Sequence, residues 1–315
     1  MSKNLNTSKS KSGKITPTGY WTFFCNPKKW AIDDFLESGI IEDAFIVTEW
    51  QKDWFNKGQL GVIRVGRDKR TLKQLAGKPR LKPGIYAIVE VLDKAEIKDK
   101  DRSKHWYDDG EKNQARYRVS IRYIKNLLNN PIILDDLSLS ESNYDKYLIK
   151  GFQASTMPLN QTTFNHIASL VDGFNKTDID LSNFKMNTDA DLAELEKAYI
   201  NAVPEVKKRV SQYIERGVIA QKFKIKTNFM CQICDAKNVN PYSFKKKNGE
   251  YYVETHHVMS VSTLSSGVLS TNNLITVCAD HHRQLHYGNV DLLKNDENSF
   301  LFLIDDEYVE VKKIN

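Results

Sequence analysis

The sequence predicts an α+β protein with a curled, mixed β-sheet or barrel first, a helical stretch next and a metal-stapled segment last. Three observations carry this. Short aromatic and β-branched runs, parted by turn residues, fill the chain up to residue 121. From about 160 to 225 the apolar spacing changes to one near 3.6. Three of the four Cys and five of the seven His then fall between residues 231 and 286.

A length of 315 residues suits about two domains of roughly 150 residues each. Lys plus Arg number 46 and Asp plus Glu 40, so the formal charge is 46 − 40 = +6, with a pI near 8.9. That modest excess permits a polyanionic partner without requiring one. A hydrophobic share of 40% with a mean hydropathy of −0.52 excludes a disordered chain, a collagen and a membrane protein. No run approaches the ~18 apolar residues of a spanning helix. Four Cys exclude a disulfide scaffold, and the N-terminus lacks the apolar stretch of a signal peptide. A cytoplasmic location is the expectation.

Residues 1–16 carry Lys3, Lys9, Lys11 and Lys14 among Ser, Asn and Thr, a basic tail expected to be disordered. It is either simply solvated or trails along a phosphate backbone. Tyr20 to Cys25 is short, aromatic and β-prone, and Asn26-Pro27 stops it. Ile32, Phe35 and Leu36 mark one face of a helix over Ala31–Ser38. Ala44–Trp50, Gly61–Val65, Ile85–Leu92 and Arg116–Ile121 read as strands, the third of them apolar on both faces. Helices follow from Asp189 and, with Pro204 in its first turn, from Val203. Residues 161–205 read as a helical linker between a domain at 17–160 and another at 206–315.

Cys231-Gln-Ile-Cys234 is a knuckle, and Cys278-Ala-Asp-His281 completes a Cys3His set suited to a tetrahedral structural zinc. The alternative is one redox Cys pair with Cys278 as a buried small hydrophobe. His282 and His286, at i and i+4, share a helix face and can grip one ion. His256 and His257 are neighbours on a strand-like segment and point to opposite sides, so one can ligate the ion while the other addresses a water.

In order and spacing, Cys-x2-Cys, His256-His257, Asn273 and Cys-x2-His-His-x3-His resemble an HNH nuclease, the ββα-metal finger. The resemblance covers roughly residues 206–295, with a hairpin from Tyr242 to Val258 turning at Asn248-Gly249. It implies His257 as general base, Asn273 as the residue that fixes the loop, and His256, His282 and His286 as ligands of the catalytic ion. His256 stands where many members carry Asp, and His281 replaces the usual last Cys. A neutral imidazole can take a water's proton near pH 7, and Mg2+, Mn2+, Ni2+ or Co2+ could hold the phosphate oxygens.

Tyr20-Trp-Thr-Phe-Phe-Cys-Asn26-Pro27, Trp50-Gln51, Lys57-Gly-Gln-Leu60 and Gly84 to Glu90 are similar, in order, to the motifs of EVE domains in the PUA-like superfamily. That resemblance spans about 18–160 and implies a pocket for a flipped, modified base, with Cys25, Asn26, Trp30, Phe45, Trp50 and Trp106 as candidates by position. Each of these aromatics also has a plausible place in the core. Trp106 stands out because its loop is polar.

Together the two resemblances imply a modification-dependent restriction endonuclease. It would flip 5-methylcytosine or 5-hydroxymethylcytosine out of double-stranded DNA and cut nearby, with no membrane partner and as a monomer or homodimer. The alternatives are an HNH nicking or homing-type enzyme that reads unmodified sequence, and a non-catalytic reader of modified DNA.

Overall fold

The computed structural model describes residues 15–99, 103–107, 112–137, 139–174, 181, 184, 186–259 and 267–314. The expected basic tail, apart from Ile15 and Thr16, lies outside them. The chain divides into two compact units, Met1–Phe174 and Asn175–Asn315.

In the first unit an eight-stranded sheet curls into a half-barrel. Its strands are β1 (Tyr20–Cys25), β2 (Glu42–Ile46), β3 (Leu60–Val65), β4 (Gly84–Val91), β5 (Glu96–Lys98), β6 (Arg116–Asn126), β7 (Ile132–Ile133) and β8 (Thr156–Pro158). The order runs β2-β6-β4-β3-β1-β8, with β5 added to β6 and β7 to β4. β1 and β3 run parallel and the other pairs antiparallel. β4 is buried along its whole length, in keeping with a run that is apolar but for Glu90. Gly61 lets β3 approach β1, because a Cβ there would stand 2.6 Å from the Phe23 ring. The core gathers Trp21, Phe23, Phe35, Phe55, Ile63 and Val89.

Two strand expectations shift here. The run expected as a strand over Ala44–Trp50 leaves the sheet after Ile46, and a 3-10 turn takes Glu49–Trp54. Buried Gln51 causes the departure: its amide donates to the Thr156 carbonyl (2.9 Å) and accepts from the Thr156 hydroxyl (2.8 Å). The last strand is longer than expected, continuing to Asn126.

The stretch read as a linker is shared between the units. Helix Gln161–Ser169 packs Phe164 on Tyr20 with ring centres 4.9 Å apart. Helix Asp189–Tyr199, capped by the reciprocal Thr188–Asp191 box, belongs to the second unit, where Asp189 accepts from Thr271. Helix Pro204–Arg216 begins on its proline, and helix Val218–Lys226 follows.

In the second unit β9 (Glu254–His257) pairs antiparallel with β10 (Leu274–Val277), and helix Ala279–Tyr287 follows directly. A meander of β11 (Val290–Asn295), β12 (Ser299–Ile304) and β13 (Glu307–Lys312) closes it, with Asp305 and Asp306 at positive φ in the tight turn. One core cluster gathers Ile233, Ile275, Val277, Phe300, Phe302 and Val311, with Cys231 among them, and the helices bury a further apolar set that includes Leu192, Leu195, Val206, Val210, Ile214 and Phe223.

The expected hairpin from Tyr242 to Val258 is corrected. Residues 241–252 fold back with only an isolated bridge, Lys245 to Tyr251, and the ladder carrying His256 and His257 is the one with β10.

Candidate functional site

Between β1, β2 and the loops beside them lies a cavity of about 600 Å³. That size is ordinary for a small-molecule site. Cys25, Asn26, Trp30, Phe45 and Trp106 all line it. Local bonding explains how a tryptophan in a charged loop arrives there. Ala31 N–H donates to the His105 carbonyl (2.8 Å) and Tyr107 N–H to that of Lys29 (3.0 Å), so Trp30 and Trp106 form a bridge between the two segments. The Trp30 indole donates to Ser103 Oγ at 3.1 Å, and its ring lies 4.9 Å from Phe35, so Trp30 is both wall and core. Trp106 is only half-buried.

Trp50 is the exception among the six. It does not line the cavity: with Gln51 turned inward, Trp50 is 50% exposed and sets its ring edge-on to Trp54 at 5.0 Å.

Several lining residues escaped the sequence reading. Asp43 offers a carboxylate, and the buried Ser155 hydroxyl has no hydrogen-bond partner among the described residues. Lys29, Arg64, Arg67 and Lys69 make the wall cationic. Behind them Arg70, 1% exposed, joins Asp33 (2.8 Å) and Asp68 (2.7 Å), fixing the loop after β3 to the helix Ile32–Glu37. Burial, and then the charge of Asp33, push the Cys25 thiol up, so it stays protonated and presents an apolar, unreactive face.

In the second unit Cys231, Cys234, Cys278 and His281 converge. The three sulfurs lie 3.3, 3.4 and 3.3 Å from His281 Nδ1. Tetrahedral zinc, with Zn–S about 2.3 Å and Zn–N about 2.0–2.1 Å, sets sulfur and nitrogen ligands roughly 3.5 Å apart. The group therefore fits zinc. Cys231 caps helix Gln232–Ala236, and Cys278 stands at the N-cap of helix Ala279–Tyr287, so two helix starts aim the thiols.

His256, His282 and His286 form a second group, their ligand atoms within 4.8 Å of one another. Ring centres are 4.7–5.3 Å apart with planes near perpendicular. Burial, then the charge of His286, push His256 down to about 3. Burial and His282 lower His286 as well. Neutral imidazoles are the ligand form. His256 Nδ1 and His282 Nε2 are buried without partners among the described residues. Glu254 Oε2 lies 2.8 Å from His282 Nδ1, the outer carboxylate that leaves the other ring nitrogen for an ion. The three residues thus suit a divalent ion.

His257 points the other way, as strand alternation requires. Its Nδ1 meets Glu215 Oε1 at 2.8 Å and Ser211 Oγ at 2.9 Å, both on helix Pro204–Arg216. Burial alone would raise Glu215; the hydrogen bond with His257 prevails and lowers it, so it is a carboxylate facing Nδ1. His257 Nε2 is buried without a partner among the described residues. Asn273, 1% exposed, accepts from Met259 N–H (2.8 Å) and donates to the Val268 carbonyl (2.7 Å), tying the two ends of the β9–β10 connection. Sequence reasoning missed Glu215 and Ser211, which stand far from the His cluster along the chain.

Among the described residues no helix is long and apolar enough to cross a membrane. No curated protein matches the chain. Among solved structures, protein PSPTO5229 of Pseudomonas syringae is 20% identical, with a TM-score of 0.33 over 48% of this chain and 98% of that one. The DUF55 domain of human thymocyte nuclear protein 1 is 15% identical, with a TM-score of 0.33 over 48% and 97%. Human THYN1, solved in complex with 5-methylcytosine-containing DNA, is 16% identical, with a TM-score of 0.32 over 48% and 96%. The EVE domain family model matches residues 75–170 of the chain.

Proposed function

We propose that the chain is a modification-dependent DNA endonuclease. Its EVE unit receives a flipped 5-methylcytosine or 5-hydroxymethylcytosine from duplex DNA, and its second unit hydrolyses a phosphodiester as an HNH finger. One observation carries the reading: a single chain combines an aromatic-walled, cation-rimmed cavity with a group of three converging imidazoles beside a His–Glu pair.

In the cavity Trp106 and Phe45 offer stacking faces, while Asp43 and Ser155 offer polar groups to a base edge. A carboxylate accepts from the exocyclic amine of cytosine. The basic wall suits the phosphates flanking an extruded nucleotide. In the second unit a divalent ion held by His256, His282 and His286 would neutralise charge on the phosphate and the leaving oxygen. Glu215 holds the His257 proton at Nδ1, so Nε2 accepts the proton of the attacking water. Asn273 keeps the adjoining loop in register.

The second reading is a reader that binds modified DNA without cutting it; the burial of His257 Nε2 favours it. Digestion of matched plasmids carrying cytosine, 5-methylcytosine or 5-hydroxymethylcytosine, with Mg2+, Mn2+, Ni2+ or Co2+ added, separates the two. The endonuclease reading expects cutting of modified plasmids alone. Selective retention of modified DNA without cutting selects the second reading, and equal cutting of all three overturns the role given to the cavity.

A further inference from the structure

We infer that the turn Lys245–Gly249 and the aromatic pairs at its base seat a DNA strand beside the histidine group. The inference deepens the proposed function by naming the surface that grips the strand to be cut.

The turn is well formed. Lys246 N–H donates to the Glu250 carbonyl (2.8 Å), Gly249 N–H to that of Lys246 (2.9 Å) and Tyr252 N–H to that of Phe244 (2.9 Å). Gly249, at φ +87°, supplies the left-handed residue the turn needs. Two ring pairs flank it: Tyr242 with Tyr251 at 4.5 Å, and Phe244 on Tyr252 at 4.9 Å with planes 15° apart. These rings are not core. Phe244 is 62% exposed and Tyr242 39%. Lys245 and Lys247 are exposed, and Lys245 Nζ lies 5.1 Å from the centre of the Tyr251 ring. Lys246 is already paired with Glu250 at 2.6 Å.

A short turn that shows cations and ring faces together suits an anionic strand with stackable faces. Its position selects DNA over an acidic peptide or an anionic membrane. The Tyr252 hydroxyl donates to Glu254 Oε1 at 2.6 Å, and Glu254 Oε2 holds His282 at 2.8 Å. The Phe244–Tyr252 stack is therefore joined through one carboxylate to the residue offered to the ion. A strand lying on the stack, with its phosphates on Lys245 and Lys247, leads toward that group.

The test reads binding and not cutting. The full chain is titrated with an unmodified duplex at several salt concentrations, which leaves modified-base selection out of the measurement. Each phosphate contact contributes about −0.9 to the slope of log K against log salt. The double variant Lys245→Ala/Lys247→Ala is expected to flatten that slope by about 1.8. Lys294→Ala, an exposed lysine paired with Asp296, is expected to leave it unchanged. Phe244→Ala is expected to weaken binding of a single-stranded oligonucleotide about fivefold or more, the low end of the stacking range. If alanine lowers the bound-metal content, the Lys→Gln pair replaces it. An unchanged slope in the double variant, an equal loss in Lys294→Ala, or a loss confined to binding of anionic lipid vesicles overturns the inference. A flattened slope in a protein that cuts no plasmid leaves the seat standing and removes the nuclease.

Discussion

The two units solve the same problem, holding a polar site in place, with opposite materials. In the first, the site is cut from the core itself: Trp30 and Cys25 belong to the packed cluster and also line the cavity. In the second, Cys231 belongs to a core cluster around Phe300 and Phe302 and also to a group that could hold a metal ion, while the helices bury an apolar face of their own with Val206, Val210 and Ile214. The cavity of the first unit should therefore be held mainly by packing, whereas the region around Cys231 should depend on its Cys3His group.

Removing the metal from the Cys3His group tests this contrast most severely. Structural zinc contributes about 10–16 kcal/mol in small zinc-stapled peptides, as much as a whole domain's net stability of about 5–15 kcal/mol. Strong chelation, or Cys234→Ser, is expected to unfold the second unit and leave the first intact. All five Trp, at 21, 30, 50, 54 and 106, lie in the first unit, so fluorescence reports on it alone. The expected result is a loss of far-ultraviolet ellipticity with unchanged tryptophan emission. Emission that shifts in parallel would show that the units stand or fall together, and no change in either signal would remove the staple.

The next effect concerns catalysis in the second unit. His257→Ala is expected to lower plasmid cutting about 10²–10⁴-fold, the usual loss for a general base. Binding of modified DNA, assigned to the first unit, should persist. Glu215→Gln keeps an acceptor for His257 Nδ1 but removes the charge, so its loss should fall between wild type and His257→Ala. Should both variants cut normally, the buried His257–Glu215 pair only pins helix Pro204–Arg216 to β9.

The same contrast decides what could be read from the sequence. Sulfur and imidazole have few other reasons to cluster, and Cys231, Cys234, Cys278 and His281 converge into a group that could hold a metal ion. Glu215 and Ser211 are ordinary residues of an amphipathic helix, and only tertiary packing brings them to His257. β1, β3 and β4 were legible because apolar runs between turn residues admit few alternatives. The edge of β2 was not, since a buried Gln51, which no hydrophobic pattern marks, pulls the chain out of the sheet. Trp50 was grouped with Trp106 by its position in the motif beside Gln51, and sequence alone does not show that the turn at Glu49–Trp54 leaves its ring exposed outside the cavity.

The smallest expected effect separates those two tryptophans. Trp106 is half-buried and presents its ring to the cavity, whereas Trp50 is 50% exposed in the turn beside β2 and outside it. Stacking of a base on an aromatic ring is worth about 1–3 kcal/mol, or roughly 5- to 150-fold. A single methyl adds only about 0.8 kcal/mol by area, so the modification alone cannot supply strict preference. The cost of flipping and rejection by the walls must supply the rest. Trp106→Ala is therefore expected to weaken binding of modified duplex at least about tenfold, within the stacking range, while binding of plain duplex and thermal stability barely change. Trp50→Ala should leave the ratio of the two affinities as it is. Trp30→Ala is a poor substitute for either, because removing a buried Trp costs about 3–5 kcal/mol of folding and would confound binding with stability. Competition between modified and plain duplexes gives the ratio directly. An unchanged ratio in folded Trp106→Ala would move the stacking face to Phe45, and a collapsed ratio in Trp50→Ala would mean that the bound base lies outside the cavity, against the turn Glu49–Trp54.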